Sequence, residues 1–528
     1  MTELLDSLGY NNWILPVLLG LPLAGAALVL LRGWLWRPAG TTDLDVMRQT
    51  RMIAFAVFTL EAVLSLGLWW SVNPASAGWT ARVTMNWIPN WGVHFDVGVD
   101  GIATMLILLT TLLMPLAVLG SWTSIREKTA AYYALLLVLT TGMLGVFMAL
   151  DLVLFYVFWE LMLVPMYLII GIWGGQRRLY ASLKFFIYTM VGSLLMLVAI
   201  IYLGLLLPGG NGQPMFGYDY LLHQVHLNPA QQFWLFGAFA LAFMVKVPMW
   251  PFHTWLPDAH VEAPTAGSVI LAAIMLKMGT FGFIRYALPL FPNAATSEGV
   301  RTLFLTLAVI GIVYGALVAL VQPDFKKLVA YSSVSHLGFV MLGLFALTPQ
   351  SVQGALMVNL SHGVSTGALF LMIGMIYERR HTRMIADYGG IAAVTPVFAT
   401  LLTIVCLSSI GVPGTNGFVG EFLVLIGSYR SQPVYAIVAA TAVIFAAAYL
   451  LWALQRIIYN PLTKPENKGL TDLNRREIAL LVPLIAAIVW LGVYPKPVLE
   501  MTQAAATRLV RHVESGGNAD SGSPMEIR

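Results

Sequence analysis

The sequence predicts an all-α polytopic membrane protein of about 14 transmembrane helices. Hydrophobic residues fill 59% of the 528 positions, and Asp, Glu, Lys and Arg only 10%. A soluble chain of this size carries more charge. Apolar runs of the roughly 20 residues that cross a bilayer as helix follow one another with short polar breaks, leaving no room for a soluble domain. Most of the 29 Lys and Arg fall on alternate breaks.

The spans lie near 13–31, 52–71, 103–122, 131–150, 152–172, 183–206 and 231–255, then near 265–286, 302–321, 328–347, 353–376, 395–429, 433–454 and 477–494. The first run, WILPVLLGLPLAGAALVLL, has no Lys or Arg before it, so it reads as a retained span instead of a cleaved signal. Basic residues concentrate after odd-numbered spans, among them Arg32, Arg37, Arg177, Arg178, Lys326, Lys327, Arg379, Arg380, Arg475 and Arg476. The positive-inside rule then puts both termini outside the cytoplasm. Lys184, Lys246 and Lys277 are the exceptions that fall within spans.

Two spans are expected to be discontinuous. The seventh holds Pro248, Pro251 and Pro257, and the twelfth holds Gly411, Pro413, Gly414 and Gly417 just before Glu421. Proline removes a backbone donor, and the freed polar groups must face protein or water. Val247-Pro248 and Val412-Pro413 stand five spans apart, the pattern of two inverted five-helix repeats around a transport site. The resulting division is 1–122 (helices 1–3), 123–290 (first repeat, helices 4–8), 291–460 (second repeat, helices 9–13), 461–511 (last helix and C-terminal region) and 512–528 (a polar, Gly/Ser-rich tail expected to be disordered).

The net charge of +4 is accounted for by orienting loop cations and makes no case for nucleic acid. The single cysteine, Cys406, excludes a disulfide framework and by itself holds neither an iron–sulfur cluster nor a zinc site. Electron chemistry is therefore expected in other chains.

An ionisable side chain at mid-bilayer costs roughly 2.5 to 3.5 kcal/mol, so Glu160, Lys246, Lys277 and Glu421 need a reason beyond packing. Glu160 lies nine residues past Asp151, about 14 Å down its helix and near the midplane. It either pairs with Lys246 to pin two helices, a role apolar packing can replace, or takes part in charge movement. Burial and a neighbouring carboxylate act oppositely on a lysine proton, which makes Lys246 a loadable site. Lys277, about 18 Å into its span, has no headgroup within reach.

A free imidazole titrates near neutrality, so His336 and His362 suit either a proton relay or a core hydrogen bond. His253 and His260 flank the seventh-span break with Asp258 and Glu262, either lining an inlet vestibule or capping the break. Ser332, Ser333, Ser335, Asn359, Ser361 and Ser365 suit either a water file or interhelical hydrogen bonds. Glu61 has no evident partner, and Lys184 is near enough to an interface to snorkel; neither is central to this expectation.

The segments FYVFWELMLVPMYLIIGIWGG, MVKVPMWPFHTWLPDAHVEAPTAGSVILAAIMLKMG, YSSVSHLG, NLSHG and GVPGTNGFVGEF resemble the antiporter-like subunits of respiratory complex I over nearly the whole chain. Within that family the chain is most similar to the member with an acid, here Glu421, where sister subunits carry lysine. The resemblance implies a proton-translocating membrane-arm subunit of NADH:quinone oxidoreductase. Glu160 and Lys246 would be the input pair, Lys277 the central relay, His336 and His362 the connecting path, and Glu421 the output. It also implies FMN, iron–sulfur clusters and quinone in other subunits, no cofactor here, and sister membrane-arm subunits and lipids as partners. A sodium/proton antiporter subunit, a membrane-hydrogenase subunit and a structural scaffold are the competing readings.

Overall fold

The computed structural model describes residues 1–35, 42–206, 213–224 and 227–517. Twelve helices among the described residues are long and apolar enough to cross a membrane. They are α1 (Tyr10–Trp34), α2 (Asp43–Ser71), α3 (Gly101–Gly120), α4 (Thr129–Met148), α5 (Leu152–Trp173), α6 (Arg178–Leu206), α8 (Thr265–Leu290), α9 (Glu298–Leu320), α10 (Phe325–Ala346), α11 (Pro349–Arg380), α13 (Pro433–Tyr459) and α14 (Arg475–Val493). The chain is a multi-pass membrane protein.

The other two expected spans are split, so the count of fourteen is not reached by unbroken helices. The seventh divides into α7a (Pro229–Lys246) and α7b (Trp255–Glu262), the twelfth into α12a (Pro396–Ile410) and α12b (Asn416–Ser431). Pro248 has φ +27° at the first break; Gly411 (+84°) and Gly414 (+90°) take left-handed conformations at the second. Pro257 and Gly417, expected to help break the helices, instead lie in the first turns of α7b and α12b. A proline there loses no intrahelical bond. A side chain at Gly417 would run into the Ser408 carbonyl oxygen.

Helix α6 packs against both halves of the seventh segment, and α11 against both halves of the twelfth. Helix α8 is wholly enclosed, and α10 and α11 nearly so. Lys277, His336, His362, Asn359 and the serines singled out above lie on these inner helices. Apolar side chains on α6, such as Leu183, Ile187, Val191 and Val198, point outward, as a lipid-facing helix requires. Helix α8 contains two π turns, Leu271–Met275 and Phe283–Ala287. Such wide turns gather at functional sites.

Sequence reasoning missed two elements. Between α2 and α3, an antiparallel hairpin pairs β1 (Thr80–Ile88) with β2 (Val93–Val99). After α14, α15 (Lys496–Glu514) buries Val498, Met501, Ala506, Val510 and Val513. Arg508 Nη1 donates to the Ala77 carbonyl oxygen (3.0 Å), so hairpin and α15 share one end of the bundle. The segment after Arg511, expected to be disordered, stays helical to Glu514, and His512 Nε2 lies 3.0 Å from the Pro289 carbonyl oxygen. Arg37 and residues 518–528 of that tail lie outside the described residues.

Candidate functional site

Lys277 is fully buried on α8, just past the first π turn. Its Nζ donates to the Ala272 carbonyl oxygen at 2.6 Å and meets His362 Nδ1 at 2.6 Å. The π turn's i to i+5 geometry presents that carbonyl five residues back. On α11, the other ring nitrogen of His362 is buried without a hydrogen-bond partner among the described residues. The His362 and His336 rings approach edge to face, with centroids 5.7 Å apart. His336 Nδ1 on α10 then meets Glu421 Oε1 on α12b at 2.8 Å. Four of the seven predicted site residues thus form one line from the enclosed α8 to the broken twelfth segment.

Glu421 is also held at its break. A Cβ on Gly411 would stand 3.1 Å from Glu421 Oε2, so this left-handed glycine makes room for the carboxylate. Asn416, which opens α12b, binds α11 and α12a together. Ser361 Oγ donates to its backbone oxygen (2.8 Å), Asn416 Nδ2 donates to the Ser361 carbonyl (3.3 Å), and Ser365 and Ser408 hydrogen-bond its Oδ1. Ser361 and Ser365 therefore hold the break, while Ser335 Oγ bonds the Ile312 carbonyl of α9 (2.8 Å). Ser332 and Ser333 bond the Val329 carbonyl of their own helix. Asn359 is buried with neither amide atom partnered among the described residues.

On the other side, Lys246 ends α7a. No ion pair joins it to Glu160: Lys246 Nζ and Glu160 Oε1 are both buried without hydrogen-bond partners among the described residues. The ammonium instead lies 5.5 Å from the ring centres of Trp159 and Phe185. Aromatic faces attract a cation without fixing its proton in a short bond. Gly279 lets α8 approach the Lys246 Cβ, so Lys246 and Lys277 are carried by closely packed helices. Lys246 ends the first half-helix of its segment and Glu421 lies in the second half of its own, so the two charges sit beyond opposite sides of their breaks.

His253 is buried in the turn between α7a and α7b, its ring against Tyr314 (5.1 Å) and Tyr331 (6.3 Å). His260 lies flat on Phe370 at 4.8 Å with both nitrogens unpartnered among the described residues. Asp258 pairs with Lys184 at 2.7 Å, so Lys184 is held by a carboxylate instead of snorkelling. Glu262 Oε2 accepts from the Arg177 amide (2.8 Å). Glu61 is fully buried with both oxygens unpartnered among the described residues.

Sequence sorting missed further buried charges, Lys326 and Arg285 among them. Lys326, counted as a loop cation, is buried and donates to the Ala263 carbonyl at 2.6 Å. Arg285, in the second π turn of α8, pairs with Asp100 at 2.7 Å and lies over Trp79. The DGIATMLILL run held the signal, an acid directly before an apolar span, and Asp100 does cap α3 through the Ala103 amide (2.9 Å). Asp151 caps α5 and also accepts from His94 of the hairpin; burial holds its carboxyl above the ordinary range despite these amide donors.

Residues 149–446 match the family model described as NADH:quinone oxidoreductase/Mrp antiporter, transmembrane. Over 505 residues the chain is 43% identical to NADH-quinone oxidoreductase subunit M of Rhodobacter capsulatus, covering 94% of this chain and 96% of that one. It is 39% identical over 467 residues to NADH-ubiquinone oxidoreductase chain 4 of Arabidopsis thaliana, covering 88% and 92%. Among solved structures, a chain of respiratory complex I from Thermus thermophilus with bound NADH superposes with a TM-score of 0.83 at 33% identity, over 95% of this chain and 99% of that one.

Proposed function

The chain belongs to the NADH:quinone oxidoreductase/Mrp antiporter family, and from that premise we infer that it is the proton-translocating membrane-arm subunit M of NADH:quinone oxidoreductase. It works among other membrane-arm subunits of that translocase, and quinone reduction elsewhere in the complex drives it. Its own part is to carry protons along buried Glu, Lys and His residues.

The observation that carries the site is the line Lys277, His362, His336, Glu421, with 2.6 Å and 2.8 Å contacts at its ends. A proton leaving the Lys277 ammonium has the His362 nitrogen in direct reach; His336 can pass one to Glu421. The central step, between two imidazoles with centroids 5.7 Å apart, needs a ring movement or an intervening water. Lys246 and Glu160 form the input, poised apart, and His253 lines the inlet side of the seventh-segment break. Each proton moved against 100 mV requires about 2.3 kcal/mol, so the drive must change the Glu160–Lys246 interaction by more than that.

Two inverted repeats, 123–290 and 291–460, fit the matched packing of α6 on both halves of the seventh segment and of α11 on both halves of the twelfth. The chain holds no cofactor of its own in this reading; FMN, iron–sulfur clusters and quinone sit in other subunits. It resides in the bacterial inner membrane with both termini periplasmic. In support, the hairpin and α15 meet at one end, while Arg379 pairs with Glu477 (2.6 Å) among the basic loops at the other.

The test is Lys246→Ala in the whole assembled complex, with protons moved per electron measured in sealed vesicles. A fall in that ratio supports the input role. An unchanged ratio removes it.

A further inference from the structure

Every carbonyl at the end of α7b is taken, and the two halves of the chain share the work. A helix leaves its last four carbonyls without intrahelical partners, and a cation there also answers the helix dipole. Ser268 Oγ donates to the His260 oxygen (2.9 Å) and the Gly175 amide to the Glu262 oxygen (2.9 Å), both from the first half. From the second half, Arg383 Nη1 donates to the Val261 oxygen (2.5 Å) and Lys326 Nζ to the Ala263 oxygen (2.6 Å).

The two cations are mounted together. Asp324 caps α10 through the Lys326 amide (2.8 Å) and reaches Arg383 Nε at 3.3 Å. The Phe325 amide donates to the Arg383 oxygen and the Ile385 amide to the Pro323 oxygen (2.9 Å each). Asp324 thus pairs with Arg383 and leaves the Lys326 ammonium to backbone carbonyls. The Lys326 ammonium is spent on the carbonyl end of α7b through a short, charge-assisted hydrogen bond.

We propose that Lys326, seconded by Arg383, is a positioning residue for proton translocation: it grips the carbonyl end of α7b and ties the broken seventh segment to the helices that bear His336 and His362. Lys326 lies on α10 with His336, and Arg383 follows the end of α11, which bears His362. A shift of either helix therefore moves α7b, and with it the break that carries Lys246 and His253. This rests on the proton-carrying reading above and adds a mechanical link between its two halves.

The experiment uses the intact complex in sealed vesicles with four variants: Lys326→Gln, Lys326→Arg, the neighbouring Lys327→Gln, and Lys277→Met as the reference for a broken line. Protons per electron and amide exchange of residues 255–263 are both read. Lys326→Gln is expected to lose at least half as much proton yield as Lys277→Met, with exchange in α7b about tenfold faster. Lys326→Arg should restore both, and Lys327→Gln should change neither. Full proton yield in Lys326→Gln, while Lys277→Met loses it, overturns the grip alone. Full yield in Lys277→Met overturns the proton-carrying line itself. Should Lys326→Gln fail to assemble, Arg383→Gln takes its place with the same outcomes.

Discussion

His336 Nδ1 stands 2.8 Å from Glu421 Oε1, a hydrogen bond that joins α10 to the second half of the twelfth segment. Both side chains are buried. Removing the carboxylate charge with Glu421→Gln keeps the shape and a hydrogen bond but takes away the proton acceptor. Proton yield per electron should fall while NADH oxidation by the complex persists; His336→Ala should do the same. Full yield in both variants would sink the outlet assignment.

The 2.6 Å contact between Lys277 and His362 makes a second prediction. His362→Ala leaves the buried ammonium with one carbonyl partner. Losing a hydrogen bond to a charged group costs about 1.5–3 kcal/mol, so the variant should lose both stability and proton yield. His362→Gln, which keeps a polar partner without a titrating ring, separates the two. Stability should return, as read by thermal inactivation, and proton yield should not.

Gly411 bears on Glu421 through its backbone. At φ +84°, Gly411→Ala takes on roughly 1–2 kcal/mol of left-handed strain and brings a methyl within 3.1 Å of the carboxylate oxygen. We expect a lower inactivation temperature and a lower proton yield. Gly299→Ala, with open space around its Cβ, should leave both unchanged.

The Arg285–Asp100 pair is buried on both sides, with side chains 9% and 4% exposed. Removing one partner strands the other, at about 3–5 kcal/mol. Asp100→Asn should thus destabilise the complex strongly, and Arg285→Met in the same chain should recover part of the loss. A double-mutant cycle on thermal inactivation measures the coupling; additive losses would show that the pair does not interact.

The breaks in the seventh and twelfth segments were legible because Pro248 and Gly411 act on their own backbone. The charges Lys246, Lys277 and Glu421 were legible because an ion in an apolar run is conspicuous whatever the fold. The sequence could not show that Glu160 and Lys246 stand apart, since distance between helices leaves no mark in either run. Nor could it place Lys326, which begins a helix and looks solvated until α7b is packed against it. The hairpin is a different case. Residues 80–88 and 93–99 do alternate, but two short strands between long apolar spans carry a much weaker pattern than the spans themselves.

Helix α8 holds a consequence in its two π turns. Each inserts one residue into the winding and turns everything beyond it by about 100° around the axis. Lys277 follows the first insertion, and Arg285 lies within the second. The azimuth of Lys277 is thus set by the first extra residue, and that of Arg285 by both. A single deletion between Leu271 and Met275 would swing Lys277 off His362, whereas one between Phe283 and Ala287 would re-aim Arg285 and leave Lys277 where it is.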